Sequence, residues 1–112
     1  MNIFARTEAA LGTIDPTVPF ALAPYKGDLP DQFVVHQLID SLAEEHADNE
    51  EASRSHLVQV TIWSRTGLVN IPDVDTAMKN AGYQKSDERQ IPQDPQSGHY
   101  GLAKDFVYLE KE

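Results

Sequence analysis

Cysteine is absent from this 112-residue sequence. Disulfides, thiolate metal sites and cysteine nucleophiles are therefore excluded. No apolar run approaches the roughly 20 residues that a membrane-spanning helix needs. The first residues also lack the basic stretch and long apolar run of a signal peptide. We therefore expect no contact with a membrane, and the length predicts a single domain, 1–112, with one core.

Positive charge is also scarce. Nine Lys or Arg residues face 18 acids, which gives a formal net charge of −9. A chain of this sign is repelled by the phosphates of nucleic acid at long range, so we expect no specific nucleic-acid binding. The charge suits a basic protein partner, or a surface past which DNA must move without adhering.

Motifs that carry chemistry are missing as well. The four histidines lack the paired spacing of metal ligands; they are His36, His46, His56 and His99. No serine lies in a Gly-x-Ser-x-Gly setting, and the six glycines are scattered. The start of a helix accounts for the neighbouring acids Asp73 and Asp75. We expect no catalytic residue, no metal, no cofactor and no enzyme, with His36 and His56 as possible neighbours on paired strands.

The clearest structural signal is residues 55–65, which alternate in polarity. Val58, Val60 and Ile62 point one way, and Gln59, Thr61 and Trp63 point the other. Alternation among β-branched and aromatic residues predicts a strand. We place this strand at the centre of the sheet, with its aliphatic face on the core.

The remaining patterns predict the other elements. In chain order these are a helix within 1–12, a Pro-rich segment at 13–31 with a short edge piece at 20–22, a strand at 32–41, a helix at 70–82, a polar edge strand at 83–91 and a closing strand at 99–109. Phe4, Glu8 and Leu11 lie near one face of the first helix, and Asn70 is the candidate N-cap of the second. The fold class is α+β, an antiparallel sheet of about four strands with two helices packed on one face.

Residues 40–54 form the most acidic stretch, and it lies between the first two main strands. We predict a long mobile acidic loop here, because the stretch repels itself and offers little to bury. Its candidate functional residues are Glu44, Glu45, Asp48, Glu50 and Glu51. They would either line a channel or dock a partner, and a solvated connection without a further role is the simpler alternative.

The second candidate site is a subunit interface. Its residues come from the central and closing strands: Gln59, Thr61, Trp63, Phe106 and Tyr108. Trp63 is either covered by a neighbouring aromatic such as Tyr108 or is an interface anchor, as Trp often is. The closing strand is apolar on both faces, which predicts the helices on one side and another subunit on the other.

Four stretches together resemble one protein family. They are Phe33-Val-Val-His-Gln-Leu-Ile39, Val58-Gln-Val-Thr-Ile-Trp-Ser64, Asn80-Ala-Gly-Tyr83 and Lys104-Asp-Phe-Val-Tyr108. In this layout, residues 20–109 resemble the tail-completion (tail-terminator) proteins of long-tailed bacteriophages. The resemblance implies a subunit of a homo-oligomeric, typically hexameric, ring that ends the tail tube and joins it to the head connector, as a structural virion protein without catalytic residues or cofactors.

The same resemblance implies partners and a location. The partners would be further copies of the chain, tail tube proteins and head connector proteins, with a monomer in solution before assembly. The protein would be made in the cytoplasm of a bacterial host and reside in the virion at the head–tail junction. An acidic DNA mimic, or another protein-binding inhibitor, is the alternative, although its densest acids lie in a predicted flexible loop. A monomeric domain with neither role is the third possibility.

Overall fold

Over the residues that the structure describes, the protein folds as one five-stranded sheet with two helices. The computed structural model describes residues 2–14, 18–44 and 53–111. Its elements are α1 (Ile3–Leu11), β1 (Phe20–Leu22), β2 (Gln32–Glu44), β3 (Ser53–Ser64), α2 (Val74–Asn80), β4 (Gln84–Ile91) and β5 (Tyr100–Lys111). The strand order is β1-β2-β3-β5-β4. The predicted α+β class is confirmed.

The sheet differs from the prediction in one strand. Phe20–Leu22, predicted as a short edge piece, forms β1 and pairs parallel with Val34–His36 of β2. The other three pairings are antiparallel. The sheet is therefore mixed and five-stranded, because a chain that crosses from β1 to β2 through a long turn-rich connection is free to pair in parallel.

β3 is the central strand, as predicted. Val58, Val60 and Ile62 are buried, and they meet apolar side chains from both helices in a single core. The buried members of that core are Ile3, Ala10, Leu11, Val18, Val34, Val58, Val60, Ile62, Val74, Met78, Tyr83 and Phe106. Because α1 and α2 both contribute to this core, they cover the same face of the sheet.

The second helix begins later than predicted. Asp73, not Asn70, is its N-cap: the Asp73 carboxylate accepts from the Thr76 backbone N–H at 3.1 Å and from the Thr76 hydroxyl at 2.7 Å. The hydrogen bond from the Thr76 hydroxyl, and to a smaller extent the one from the Thr76 N–H, holds the pKa of Asp73 below its ordinary value. Pro72 explains the shift, since the residue before a proline disfavours helical geometry.

The first helix buries a different face from the predicted one. Ile3, Thr7, Ala10 and Leu11 are buried, whereas Phe4 is exposed. Thr7 fits among apolar residues because its hydroxyl donates to the Ile3 carbonyl at 2.8 Å and lies 2.7 Å from the Tyr83 hydroxyl. A satisfied hydroxyl can be buried at little cost. The predicted grouping of Phe4 with Leu11 is therefore wrong.

The two long strands extend into the predicted loop. β2 and β3 remain paired as far as Glu44 opposite Ser53, so residues 40–44 and 53–54 are strand. The predicted bounds of 40–54 are wrong at both ends. Residues 45–52 lie outside the described residues, and their mobility stays a prediction.

Gly82 ends α2 as predicted, and its replacement gives a first stability test. Its φ is +94°, and a Cβ there would lie 3.3 Å from Cε2 of Tyr108. Gly82→Val should lower the free energy of unfolding by about 1–3 kcal/mol, because a β-branched residue at positive φ is strained and crowded. Denaturant unfolding followed by circular dichroism measures this.

Gly27 offers the matched control, since its φ is +90° and a Cβ there would meet nothing within 4 Å. Gly27→Val carries the strain without the contact and should cost less. Equal losses in the two variants would show that Tyr108 does not crowd position 82.

Candidate interaction surface

One face of the sheet has no helix on it among the described residues. Directly paired residues on neighbouring strands share a face, so the face opposite the core can be followed from the register. It carries Phe33, Val35, Gln37, Asp40 and Leu42 of β2, Ser55, Leu57, Gln59, Thr61 and Trp63 of β3, and Gly101, Ala103, Asp105, Val107 and Leu109 of β5. We call this the uncovered face.

The end of this face near Phe33 is partly roofed by the loop at 23–31. The Tyr25 ring lies 4.9 Å from the Phe33 ring, centroid to centroid. Between this loop and the sheet lies a shallow hollow of about 340 Å³, lined also by Leu29, Thr61 and Trp63. The hollow is mostly apolar, with Gln37 and Gln59 at its edge.

The other end of the uncovered face exposes leucines. Leu42 is 60% exposed and Leu109 is 47% exposed. Both lie opposite Ser55, next to the cross-strand pair Leu57 and Val107. We call these four side chains, Leu42, Leu57, Val107 and Leu109, the distal patch. A grouped set of exposed apolar side chains is typical of a contact surface.

The structure does not bring the five predicted interface residues together. Gln59, Thr61 and Trp63 lie on the uncovered face, whereas Phe106 and Tyr108 lie on the helix side. Phe106 is 1% exposed and belongs to the core. Tyr108 packs between the Tyr83 ring, 5.1 Å away, and the Arg6 guanidinium, 4.5 Å above it.

Trp63 is therefore not covered by Tyr108, because the two side chains lie on opposite faces of the sheet. The Trp63 indole lies instead over Gly101, its direct partner on β5. Trp63 remains half-buried. It is available to a partner only in part.

The structure describes only one of the five predicted loop acids, Glu44. Glu45, Asp48, Glu50 and Glu51 lie outside the described residues, and the backbone of Glu44 ends β2. Twelve acids and nine Lys or Arg lie within the described residues, so these carry a net charge of −3 out of −9. The remaining net charge of −6 comes from six acids outside the described residues, where there is no Lys or Arg.

A cluster of four charged side chains ties α2 to β4 and β5. The buried Lys104 ammonium lies 2.7 Å from Asp75 Oδ1 and 3.3 Å from Glu88 Oε1. Lys85 Nζ contacts the same two carboxylates at 3.1 Å and 2.7 Å. Burial raises the pKa of Asp75, but hydrogen bonds from Lys104 and Lys85 outweigh it and hold this pKa below its ordinary value. Lys85 likewise lowers the pKa of Glu88.

Removing one acid from this cluster should destabilise the fold. Asp75→Asn leaves the buried Lys104 with Glu88 alone, and we expect a loss of about 1–2 kcal/mol, since the partly exposed pair is screened by solvent. Lys104→Met is the matched control, because it leaves no buried charge unpaired and should cost less than about 1 kcal/mol. Urea unfolding at pH 7 compares the two. Equal losses would contradict the description of Lys104 as a buried, paired charge.

The same cluster predicts a pH dependence. Carboxyl groups with lowered pKa values stabilise the fold fully above their ordinary values, near 4, and this stabilisation is lost as the pH falls through the lowered values. Unfolding experiments between roughly pH 6 and pH 2 should therefore show a smaller acid-induced loss of stability in Asp75→Asn than in the unaltered chain.

Ser41, His56 and Glu110 form a line of hydrogen bonds that the sequence patterns do not indicate. His56 Nε2 lies 3.1 Å from Glu110 Oε2, and its Nδ1 lies 2.7 Å from the Ser41 hydroxyl. A serine nucleophile needs N–H donors nearby to hold an oxyanion. The Ser41 N–H instead donates to the Asp40 carboxylate at 2.8 Å, which places an anion there. The line ties three strands together, and the Ser41 N–H, which is held by Asp40, is not offered to an oxyanion.

The histidines are placed apart from one another. His36 lies opposite Val60, and His56 lies opposite Ser41, so the predicted pairing of His36 with His56 across the strands is wrong. His36 Nε2 contacts Glu8 of α1 at 3.0 Å, and His99 Nε2 donates to the Pro30 carbonyl at 2.7 Å. Within 2–14, 18–44 and 53–111, no three His, Asp or Glu side chains are grouped so as to hold a metal ion. Neither described helix is long and apolar enough to cross a membrane.

Comparison with known proteins shows a likeness of fold to solved structures. No family model matches the sequence, and no curated protein matches it. Among solved structures, the fold is similar to a chain from the virion of a native gene transfer agent particle, with a TM-score of 0.47 and 12% sequence identity. The likeness covers 95% of this chain and 84% of that one.

Proposed function

We propose that this chain is a virion structural protein that forms a ring, ends the tail tube of a phage-like particle and joins it to the head connector. The observation that carries the proposal is the asymmetry of the sheet. One face is closed by both helices, whereas the other exposes the distal patch. This arrangement suits a subunit that is completed by neighbours. The resemblance of residues 20–109 to tail-completion proteins supplies the identity of the assembly.

The described acids argue against a DNA mimic. A mimic presents unpaired acids along a rigid surface, as phosphates lie along DNA. Here seven acids contact Lys, Arg or His side chains of the same chain: Glu8, Asp31, Asp75, Asp87, Glu88, Asp105 and Glu110. The net charge of −3 over the described residues points the same way.

The acids at 44–51 keep the two roles expected from the sequence. Serine or glutamine at Glu44, Glu45, Asp48, Glu50 and Glu51 separates them. Normal joining with slowed DNA ejection supports a channel lining, because the repulsive field would be lost. Failed joining supports docking. If both steps are unchanged, the segment is only a connection.

Complementation tests the proposed function. Cells that produce the particle but lack this gene should accumulate separate heads and tails, and purified protein added to their extract should restore joined particles. Leu42→Lys should fold and fail to restore joining, because it places a charge in the distal patch. Val69→Lys is the matched control, since Val69 is 91% exposed in a loop after β3. Normal joined particles from the deletion would contradict the proposal.

A further inference from the structure

Two strand edges of the sheet are unpaired among the described residues. β1 pairs only with Val34–His36, and the Ala23 N–H closes that ladder on the His36 carbonyl at 2.9 Å. Within the part of the chain that the structure describes, no strand therefore lies beside residues 37–44 of β2 on that side. At the opposite border of the sheet, the outer edge of β4, Gln84–Ile91, is also free. Open edges are ready to pair with another strand.

We propose that these two edges join, so that β4 of one copy pairs with residues 37–44 of β2 in the next copy. This inference rests on the proposed function, because it supplies the contact between neighbours in the ring. The two stretches match in length, with eight residues each. β2 and β5 run one way and β3 and β4 the other. Copies that share one strand direction therefore bring β4 beside β2 antiparallel, the more stable pairing.

Charge disfavours the symmetric alternative at the β2 edge. A two-fold antiparallel pairing of 37–44 would bring the two Asp40 carboxylates diagonally across the new pair, and like charges at that distance repel. β2 carries no Lys or Arg to offset them. β4 is balanced, with Lys85 and Arg89 against Asp87 and Glu88, so it approaches the acidic edge without that penalty.

Joining two different edges has a consequence for the assembly. A contact between unlike surfaces repeats head to tail, and it produces a ring when the rotation closes. Through the register, β4 lies level with residues 33–40 of β2. The free stretch begins four residues further on, so each copy is displaced by roughly 13 Å along the strands. Such a stagger accompanies tilted strands in closed sheets.

The distal patch marks the receiving edge. Leu42 lies on the free stretch of β2, and its side chain is on the uncovered face. Gln84 and Ile91, at the two ends of β4, are on the same face. A strand added there places its side chains beside Leu42 and reduces its exposure. The paired edges contribute eight residues from each copy, whereas each partner in a stable interface contributes about 20–30 residues. Each contact is therefore weak alone, which agrees with the monomer expected before assembly.

Cross-linking tests the pairing, because the chain has no cysteine of its own. Leu42→Cys with Gln84→Cys places one thiol on each proposed edge, both at exposed positions. Concentrated protein treated with a flexible bis-maleimide should give a ladder of covalent trimers and larger species on a denaturing gel. Each single variant can link only once and should stop at the dimer. Circular dichroism checks that every variant is folded.

Val69→Cys with Leu42→Cys is the control, because it keeps two exposed thiols but removes the one on β4. It should give no species beyond the dimer. An equal ladder in the control, or no ladder in the edge pair, overturns the pairing. A ladder from a protein that is absent from the virion would leave the edge contact standing and defeat the proposed function. If the protein resides in the virion but gives no ladder, the proposed function stands and the edge contact is overturned.

Discussion

Phe106→Ala should destabilise the isolated protein by about 3–5 kcal/mol. Phe106 is the largest fully buried side chain described, and it lies opposite Val58 beneath the helices. Truncation removes its transfer free energy and leaves a cavity that rigid strands on both sides cannot fill. In a domain of this size, the melting temperature should fall by roughly 15–25 °C. Thermal unfolding followed by circular dichroism gives the value.

Leu109→Ala is the matched control for this result. Leu109 lies on the same strand but on the uncovered face, and it is half-exposed. Its truncation should cost less than about 1 kcal/mol. If Phe106→Ala left the melting temperature unchanged and only weakened assembly, Phe106 would be an interface residue after all and the register of β5 would be wrong.

Gly101→Val should cost about 2–3 kcal/mol, because the space above Gly101 is occupied. A Cβ at this position would lie 2.7 Å from Cζ3 of Trp63 and 3.0 Å from Cβ of Ile91. Valine is otherwise favoured in strands over glycine, so the expected loss is due to the indole and, in smaller part, to Ile91. Trp63 is the only tryptophan, and displacement of its ring should also shift the fluorescence emission to longer wavelength.

A double-mutant cycle isolates this contact. With Trp63→Ala in place, Gly101→Val should cost clearly less, because the clash with the indole is removed and only the contact with Ile91 remains. The coupling between the two positions is the measured quantity. Additive losses would show that the indole does not lie over Gly101.

The elements of the fold were predictable where local patterns determine them. Alternation in residues 55–65 predicted the central strand, and the helix predicted at 70–82, with Gly82 at its end, contains α2. These signals are set by strand and helix periods and by a backbone conformation that only glycine adopts easily. The α+β fold class and the location of the hydrophobic core followed from these elements.

The arrangement of side chains between strands was not predictable in the same way. Alternation correctly placed Phe106 and Tyr108 on one face of β5, but which face of β3 they share depends on the register, and a shift of one residue reverses it. The sequence therefore grouped them with Trp63, and the structure separates them. Two non-local hydrogen bonds were also not predicted. One joins His36 to Glu8 and the other joins Thr7 to Tyr83, and together they orient the buried face of α1.

The most direct test of the proposed function is electron microscopy of particles that carry a gold label on this chain. Val69→Cys gives a single, well-exposed attachment point. We expect gold at the junction of head and tail in assembled particles. Gold elsewhere on the particle, or assembled particles without gold, would contradict it.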